Sequence, residues 1–337
     1  MNKYTVMPLL NSSFEPGKAR EIVAGFEDMD VRNIAQAELF YFMGEAESSS
    51  EIAERYLTSE IMELRLSASM IYGYSNMTLG NLVAVQRGLE EIQECLKLAM
   101  RKKVSEETLA VCVFARYAGA VLLHLPTDGI PSLWKYSSKL PEGVRLFAVY
   151  VMAHHSYLNG EYLSAYGMCQ AALAMTREVY PVSMIYIQCM LAMCSINRKC
   201  IEDAREELMK GWNLAEKDNF IEPFIEHHGL LRGLLEACIR KSNPDMYRRI
   251  TEGVLSFSRS WVSIHNPQTK GKVTNELSTM EFSIAMLAGE GWSNKEISAY
   301  LGITVNTVKH YLTGIFSKLN VNRSEEHTSE LQSQSVI

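Results

Sequence analysis

The sequence lacks a membrane span and a secretory leader. Its longest apolar run, from Leu109 to Leu123, is interrupted by Arg116 and is shorter than the roughly 20 residues that cross a bilayer. The first ten residues, MNKYTVMPLL, contain no long apolar core of the kind that a signal peptide needs. The seven cysteines form no C-x-x-C pair, and an odd number without regular spacing indicates reduced thiols. We therefore expect a cytoplasmic protein that does not associate with membranes.

Signatures of catalysis and of nucleotide binding are also missing. There is no G-x-S-x-G, no H-E-x-x-H and no carboxylate pair in a recognisable context. A P-loop needs a glycine five residues before its Gly-Lys pair, but Ser12 and Asn266 stand at those positions before Gly17 and Gly271. Nor is there the alternation of strands and helices that a receiver domain requires. We expect no enzymatic activity and no cofactor.

Two histidine pairs are the strongest candidates for a metal site, namely His154-His155 and His227-His228. Adjacent residues on a helix point about 100° apart, so such pairs rarely bind one ion. We favour histidines that bond a neighbouring helix or line a groove, and we predict no metal. The aromatic residues between Trp134 and Tyr162 are more typical of a helical core than of a ligand site.

What the sequence does contain is a run of strong helix signals between Leu277 and Arg323. Two capping boxes, in which a serine hydroxyl and a glutamate three residues later satisfy free backbone N–H groups, predict two helix starts: Ser278 with Glu281, and Ser293 with Glu296. Gly291 and Gly302 stand where those helices should end, since glycine adopts the left-handed conformation at little cost.

A third helix should begin after Thr304. Four apolar residues recur along it at three- and four-residue steps and predict one buried stripe: Val308, Leu312, Ile315 and Leu319. The opposite face carries Asn306, Lys309, His310, Thr313 and Ser317, which can all form hydrogen bonds. Two helices joined by a tight turn, the second apolar behind and polar in front, indicate a helix-turn-helix.

The same stretch resembles the LuxR-type DNA-binding domain over about 45 residues. The resemblance is carried by G-W-S-N-K-E-I, L-G-I-T-x-N-T-V-K and I-F-S-K-L-N-V, in that order. It implies base contacts from Lys309, His310 and Thr313. It implies phosphate contacts from Asn294, Lys295, Thr304, Asn306, Thr307 and Lys318. It also implies a small core of Leu277, Ile284, Leu287, Ile297, Leu301, Val308, Ile315 and Leu319. Met280 and Tyr311 depart from the residues usual in the family, so the DNA target cannot be read from the sequence.

The residues from about Val31 to Arg240 are predicted to be almost wholly helical. The segment around Gly160 resembles a tetratricopeptide unit, with Ala153 and Ala165 at close helix contacts. A second copy places Ala192, Lys199, Ala204 and Gly211 at similar spacing, 39 residues on from the first, and a weaker copy has Gly73, Gly80 and Leu82. We therefore predict an all-α protein: a tetratricopeptide-like solenoid followed by a small LuxR-type domain, a layout that resembles MalT-like regulators.

The predicted domains follow from these patterns. Residues 1–245 form the helical sensor or interaction domain, 246–272 a linker, and 273–322 the LuxR-type domain. The string RSEEHTSELQS, from Arg323 to Ser333, resembles a translated sequencing adapter. We therefore expect residues 323–337 to be a non-native tail, the alternative being a native disordered one.

The distribution of charge indicates that only part of the chain binds DNA. The net charge is -6, but residues 240–272 hold seven Lys and Arg against two acidic residues, and residues 303–323 hold three against none. We predict a transcriptional regulator that binds double-stranded DNA as a homodimer, with RNA polymerase and an unidentified small-molecule or protein effector as further partners. The alternative is a protein-interaction scaffold whose terminal module binds protein or nothing.

Overall fold

A computed structural model describes residues 4–265 and 277–319 of the chain. Over these residues the protein has sixteen α-helices and no strand, which confirms the all-α prediction. The chain divides into two compact units, residues 1–223 and 224–337, and each is considered separately below. Within the described ranges no helix is both long enough and apolar enough to cross a bilayer.

The first unit is an array of antiparallel helices joined by short turns. Two 3₁₀ turns, Leu133–Lys135 and Ser137–Lys139, lie in the longest connection, and a third, Glu216–Asp218, follows the last full helix. Its ten complete α-helices are α1 (Ala19–Gly25), α2 (Met29–Phe42), α3 (Ala46–Glu54), α4 (Met62–Leu79), α5 (Leu82–Lys102), α6 (Glu106–Leu122), α7 (Glu142–Leu158), α8 (Tyr162–Met175), α9 (Pro181–Asn197) and α10 (Ile201–Ala215).

Helices α7 to α10 form two hairpins that repeat each other. The second hairpin begins 39 residues after the first, since α7 starts at Glu142 and α9 at Pro181. Alanines fill the predicted close contacts, because Ala153, Ala165 and Ala204 have no exposed surface. This spacing equals the one found in the sequence between Ala165 and Ala204. The assignment of the hairpins to the tetratricopeptide class stays a prediction.

The core of this unit centres on α9. Every residue from Pro181 to Ile196 except Met184 is buried, because α7, α8 and α10 all pack against this helix. Tyr186 lies in a cluster of rings, with ring centroids 5.0 Å from Phe147 and 5.1 Å from Tyr150. A helix buried on all sides reads as continuously apolar, and α9 carries no charged residue.

The segment before α1 is folded as turns against the array. Val6, Leu9 and Leu10 are buried, and the backbone N–H groups of Leu9 and Leu10 donate to the Glu38 carboxylate at 2.8 and 3.0 Å. Burial raises the pKa of Glu38 to about 8, although both backbone hydrogen bonds act in the opposite direction. These contacts hold the segment in a compact conformation in place of an extended one.

Six helices lie in the described part of the second unit. Helix α11 begins two residues before the unit does, and α13 extends into the predicted linker. The helices are α11 (Glu222–Leu231), α12 (Leu234–Cys238), α13 (Pro244–His265), α14 (Thr279–Gly289), α15 (Asn294–Leu301) and α16 (Val305–Leu319). Residues 266–276, which include part of the predicted linker, and residues 320–337, which include the predicted tail, lie outside the described residues.

Candidate nucleic-acid interface

Helices α14, α15 and α16 are the three helices expected in the helix-turn-helix stretch, and their starts carry the expected caps. Both capping boxes form, Ser278 with Glu281 and Ser293 with Glu296. The Ser293 N–H donates to Glu296 at 2.7 Å, and the Glu296 N–H donates to the Ser293 hydroxyl at 3.3 Å. Each box satisfies two of the backbone donors that a helix start leaves free, so both helix starts are fixed locally.

The turn between α15 and α16 depends on a glycine. Gly302 ends α15 with φ of +63°, in the left-handed region where a side chain is disfavoured. The chain then turns directly into α16, where Thr304 accepts a hydrogen bond from the Thr307 N–H at 3.1 Å. The two-helix motif predicted from the sequence is therefore present, with its turn at the predicted glycine.

Helix α16 has two chemically different sides. Val308 and Ile315 are fully buried where the helix packs against α14 and α15. Lys309, His310 and Thr313, the three residues expected to reach base edges, are exposed on the other side. Leu312 and Leu319 are only partly buried, so the apolar stripe is narrower than the sequence pattern suggested and these two residues lie at its edge.

The hydroxyl of Thr313 already has a partner within the helix. It donates to the Lys309 carbonyl oxygen at 2.9 Å, as threonines inside helices often do. The outward parts of Thr313 are then its methyl group and an accepting oxygen. A methyl group can contact the methyl of thymine in the major groove, whereas Lys309 can donate to the acceptors of guanine.

The residues expected to contact phosphate gather at two helix starts. Asn294 and Lys295 begin α15, and Thr304, Asn306 and Thr307 surround the start of α16. Helix starts attract anions because free N–H groups point out of the helix there and because the positive end of the helix dipole lies at the same end. Lys295, Thr304 and Asn306 are exposed, and Asn294 and Thr307 are half-buried.

Lys318, the sixth expected phosphate contact, has an internal partner. Its amino group lies 2.6 Å from the Glu281 carboxylate, so it joins the end of α16 to the start of α14. Burial raises the pKa of Glu281, but hydrogen bonds from Lys318 and Ser278 outweigh it and the pKa lies below its usual range. Lys318 therefore braces the domain, and its phosphate contact stays a prediction.

Helices α11 and α12 also support this domain, which the sequence analysis did not anticipate. The Tyr300 hydroxyl donates to the Leu231 carbonyl oxygen at 3.1 Å, and Arg232 pairs with Glu290. Gly233 has φ of +87°, and a Cβ there would come within 2.6 Å of the Leu301 side chain. These contacts fasten the connection between α11 and α12 to the outside of α14 and α15. No local signal in residues 229–236 could have revealed them.

A buried hydrogen bond between a histidine and a carboxylate stiffens this support. His228 lies 2.8 Å from Glu236, and both side chains are almost fully buried. The Tyr247 hydroxyl donates to the same carboxylate at 3.3 Å. Burial raises the pKa of Glu236, but the attraction of His228 and its hydrogen bond outweigh it, so the pKa is lowered. His228 thus bonds a neighbouring helix, as the sequence analysis favoured, and no cluster of three metal-binding side chains occurs among the described residues.

Comparison with known families agrees with this geometry. Residues 275–329 match the family model described as bacterial regulatory proteins, luxR family. The chain carries a LuxR-type helix-turn-helix domain. The predicted family is therefore confirmed for this part of the chain, and the match runs past Asn322 to residue 329. No curated protein and no solved structure matches the chain. The LuxR-type domain supports a role as a DNA-binding transcriptional regulator.

Proposed function

We propose that this protein is a sequence-specific transcriptional regulator that reads DNA through α16. The observation that carries the proposal is the exposed, hydrogen-bonding side of α16 in a LuxR-type domain. A helix of this kind fits the major groove of B-DNA, where each base pair presents a distinct pattern of donors and acceptors. Lys309, His310 and Thr313 supply the base contacts.

Phosphate contacts set the position of the domain on the duplex. Lys295 at the start of α15 and Asn306 at the start of α16 are exposed and lie beside free backbone donors. Such contacts fix orientation without reading sequence. Arg248, on the basic helix α13, adds nonspecific attraction to DNA, while the net charge of -6 keeps the remainder of the chain off the duplex.

The helical array is the sensing part of the regulator. It binds an effector, a small molecule or a protein, and alters DNA binding or contact with RNA polymerase. Solenoids offer concave surfaces suited to such ligands. A single module of this size buries roughly 600–1,000 Å² on DNA, so useful affinity requires a homodimer on two half-sites. None of the seven cysteines forms a disulfide, which supports action in a reducing compartment such as the cytoplasm.

The second candidate function is a protein-interaction scaffold, which the acidic net charge favours. In that case the array is the working part, and the terminal domain binds protein or nothing. Salt separates the two candidates, because phosphate contacts release counterions and weaken steeply as salt rises. Binding through an apolar groove does not weaken in this way.

The test is selection from a pool of random duplex DNA by the full chain, followed by a salt titration on the enriched sequences. We expect enrichment of a twofold-symmetric site whose half-sites lie about one helical turn apart. The affinity should fall by at least about tenfold between 50 and 200 mM salt. Absence of enrichment, or affinity that is independent of salt, would contradict the proposal and favour the scaffold.

A further inference from the structure

The outer side of α8 is uncharged and exposed, unlike the outer side of α10. Leu163 is 71% exposed and Met175 is 82% exposed. None of the fourteen residues of α8 is charged, and only Ala165 and Cys169 are buried. Single exposed apolar residues are ordinary, but a whole helix side of this kind marks an interaction surface.

Because the hairpins repeat, the exposed residues of α8 can be compared with those of an equivalent helix. Helix α10 occupies the position of α8 in the following hairpin, 39 residues later. The five exposed positions that correspond are Leu163, Ser164, Gly167, Ala171 and Ala174 in α8, and Glu202, Asp203, Glu206, Lys210 and Asn213 in α10. The fold therefore tolerates charged and polar residues at these positions. Packing within the array does not explain why α8 carries apolar and small residues there.

We propose that the outer side of α8 is a homodimer interface, on which α8 of a second copy packs in the antiparallel direction. A twofold interface brings the same surface together from both copies, and a surface without charges meets itself without repulsion. Small residues also let two helices approach closely. We define the α8 face as Leu163, Ser164, Gly167, Gln170, Ala171, Ala174 and Met175.

Size complementarity is satisfied in an antiparallel alignment. When the twofold axis passes between Met168 and Cys169, Leu163 lies opposite the partner's Ala174. Gln170 lies opposite the partner's Gly167 in the same alignment. A large side chain thus meets a small one on each side of the axis, as ridges meet grooves in helix packing.

Charge complementarity supports the same alignment. Glu161, immediately before α8, and Arg177, two residues after it, are both exposed, and the exposed Glu178 lies one residue further from the helix. The antiparallel alignment brings each Glu161 beside the partner's Arg177, so two opposite-charge pairs flank the apolar contact. A parallel alignment would place Glu161 beside Glu161 and Arg177 beside Arg177. The antiparallel dimer is therefore favoured over the parallel one, because a second copy in this direction brings an opposite charge to each end of the helix.

A helix of 14 residues is about 21 Å long, so the contact is at the small end of specific interfaces. We expect a dimer with a dissociation constant in the micromolar range, roughly 1–100 µM. The dimer forms without DNA, and its test is therefore separate from that of the proposed function. In a DNA-binding regulator this dimer would join two LuxR-type domains in one complex.

The experiment is sedimentation of the full chain without DNA over this concentration range, for the wild type, Ala174→Arg and Asn213→Arg. Asn213 is the matched control because it is the exposed α10 counterpart of Ala174. We expect the wild type and Asn213→Arg to dimerise alike and Ala174→Arg to bind its copy at least tenfold more weakly, with unchanged helix content. A monomeric wild type, or a dimer that Ala174→Arg leaves intact, would overturn the interface.

A charge exchange tests the alignment. Reversing one sign, in Glu161→Arg or in Arg177→Glu, should weaken the dimer a few-fold, and the double variant should recover it. A double variant as weak as the single ones would overturn the antiparallel packing. If the dimer behaves as expected but no DNA is selected, the interface stands and the proposed function fails. If the chain is monomeric without DNA but still selects a twofold-symmetric site, the interface fails and the proposed function stands.

Discussion

The helical array and the LuxR-type domain define their helices in different ways. Seven of the ten helices of the array, α1, α3, α4 and α7 to α10, begin without a side-chain cap. Each of the three short helices of the LuxR-type domain has one, from Ser278, Ser293 and Thr304. The array is held by burial of its helices against one another, whereas a domain with a small core depends on local hydrogen bonds at its helix ends.

The largest expected effect tests the dependence of the array on burial. Ile187 on α9 is fully buried, so Ile187→Ala should lower the free energy of unfolding of the array by about 2–5 kcal/mol. Urea unfolding followed by circular dichroism measures this. The matched change Val83→Ala, at an 80% exposed position of α5, should alter stability by no more than about 0.5 kcal/mol. Similar losses from both variants would contradict the role assigned to burial.

A second prediction tests whether the connection between α11 and α12 belongs to the DNA-binding unit. Gly233→Ala adds a Cβ where φ is +87° and where Leu301 lies 2.6 Å away. We expect it to destabilise α15 by about 1–3 kcal/mol, measured as faster hydrogen exchange of residues 294–301. Gly25→Ala, at the end of α1, is the control, because a Cβ there meets no atom within 4 Å. Unchanged exchange in Gly233→Ala would show that the connection is not a support of the domain.

A third prediction concerns the caps. Ser293→Ala removes the oxygen that accepts from the Glu296 N–H and should cost about 1 kcal/mol, again seen as faster exchange in α15. Ser317→Ala, at an exposed position within α16, should cost less than about 0.5 kcal/mol. Equal effects would mean that the domain does not depend on its local caps.

The smallest expected effect is that of Thr313→Val, which keeps the shape and a methyl group. Because the Thr313 hydroxyl donates within the helix, we expect affinity for the selected DNA site to change by about 0.5 kcal/mol or less, within the range of ordinary surface substitutions. Fluorescence anisotropy on labelled duplexes measures this. A loss as large as that of Lys309→Ala would show that the hydroxyl itself contacts a base.

The contrast between the two regions also explains what the sequence could predict. In the LuxR-type domain, Ser293, Glu296 and Gly302 set the ends of α15 through interactions within a few residues. The helix-turn-helix motif and its exposed side could therefore be predicted from the sequence. The contacts of Tyr300 with Leu231 and of Arg232 with Glu290 join residues 58 or more positions apart. Tertiary contacts of this kind leave no periodic or capping signal, so the support from α11 and α12 was missed.

In the array, the 39-residue spacing was visible in the sequence because small residues such as alanine recur where two helices approach closely. The exposed character of α8 was not visible, since an apolar helix in a solenoid is usually a core helix. Periodicity gave the hairpins, but only the structure separates α9, which is buried on every side, from α8, which is not. The turns of the segment before α1 left no signal in the sequence for a similar reason, because they depend on the distant Glu38.

The measurement that tests the central claim most directly compares Lys309→Ala with Lys295→Ala on the selected DNA site and on random duplex. If α16 reads bases, Lys309→Ala should lose about 1–3 kcal/mol on the selected site and little on random DNA. Lys295→Ala should weaken both duplexes alike and reduce the salt slope by about one. Equal losses on both duplexes for both variants would contradict the assignment of base reading to α16.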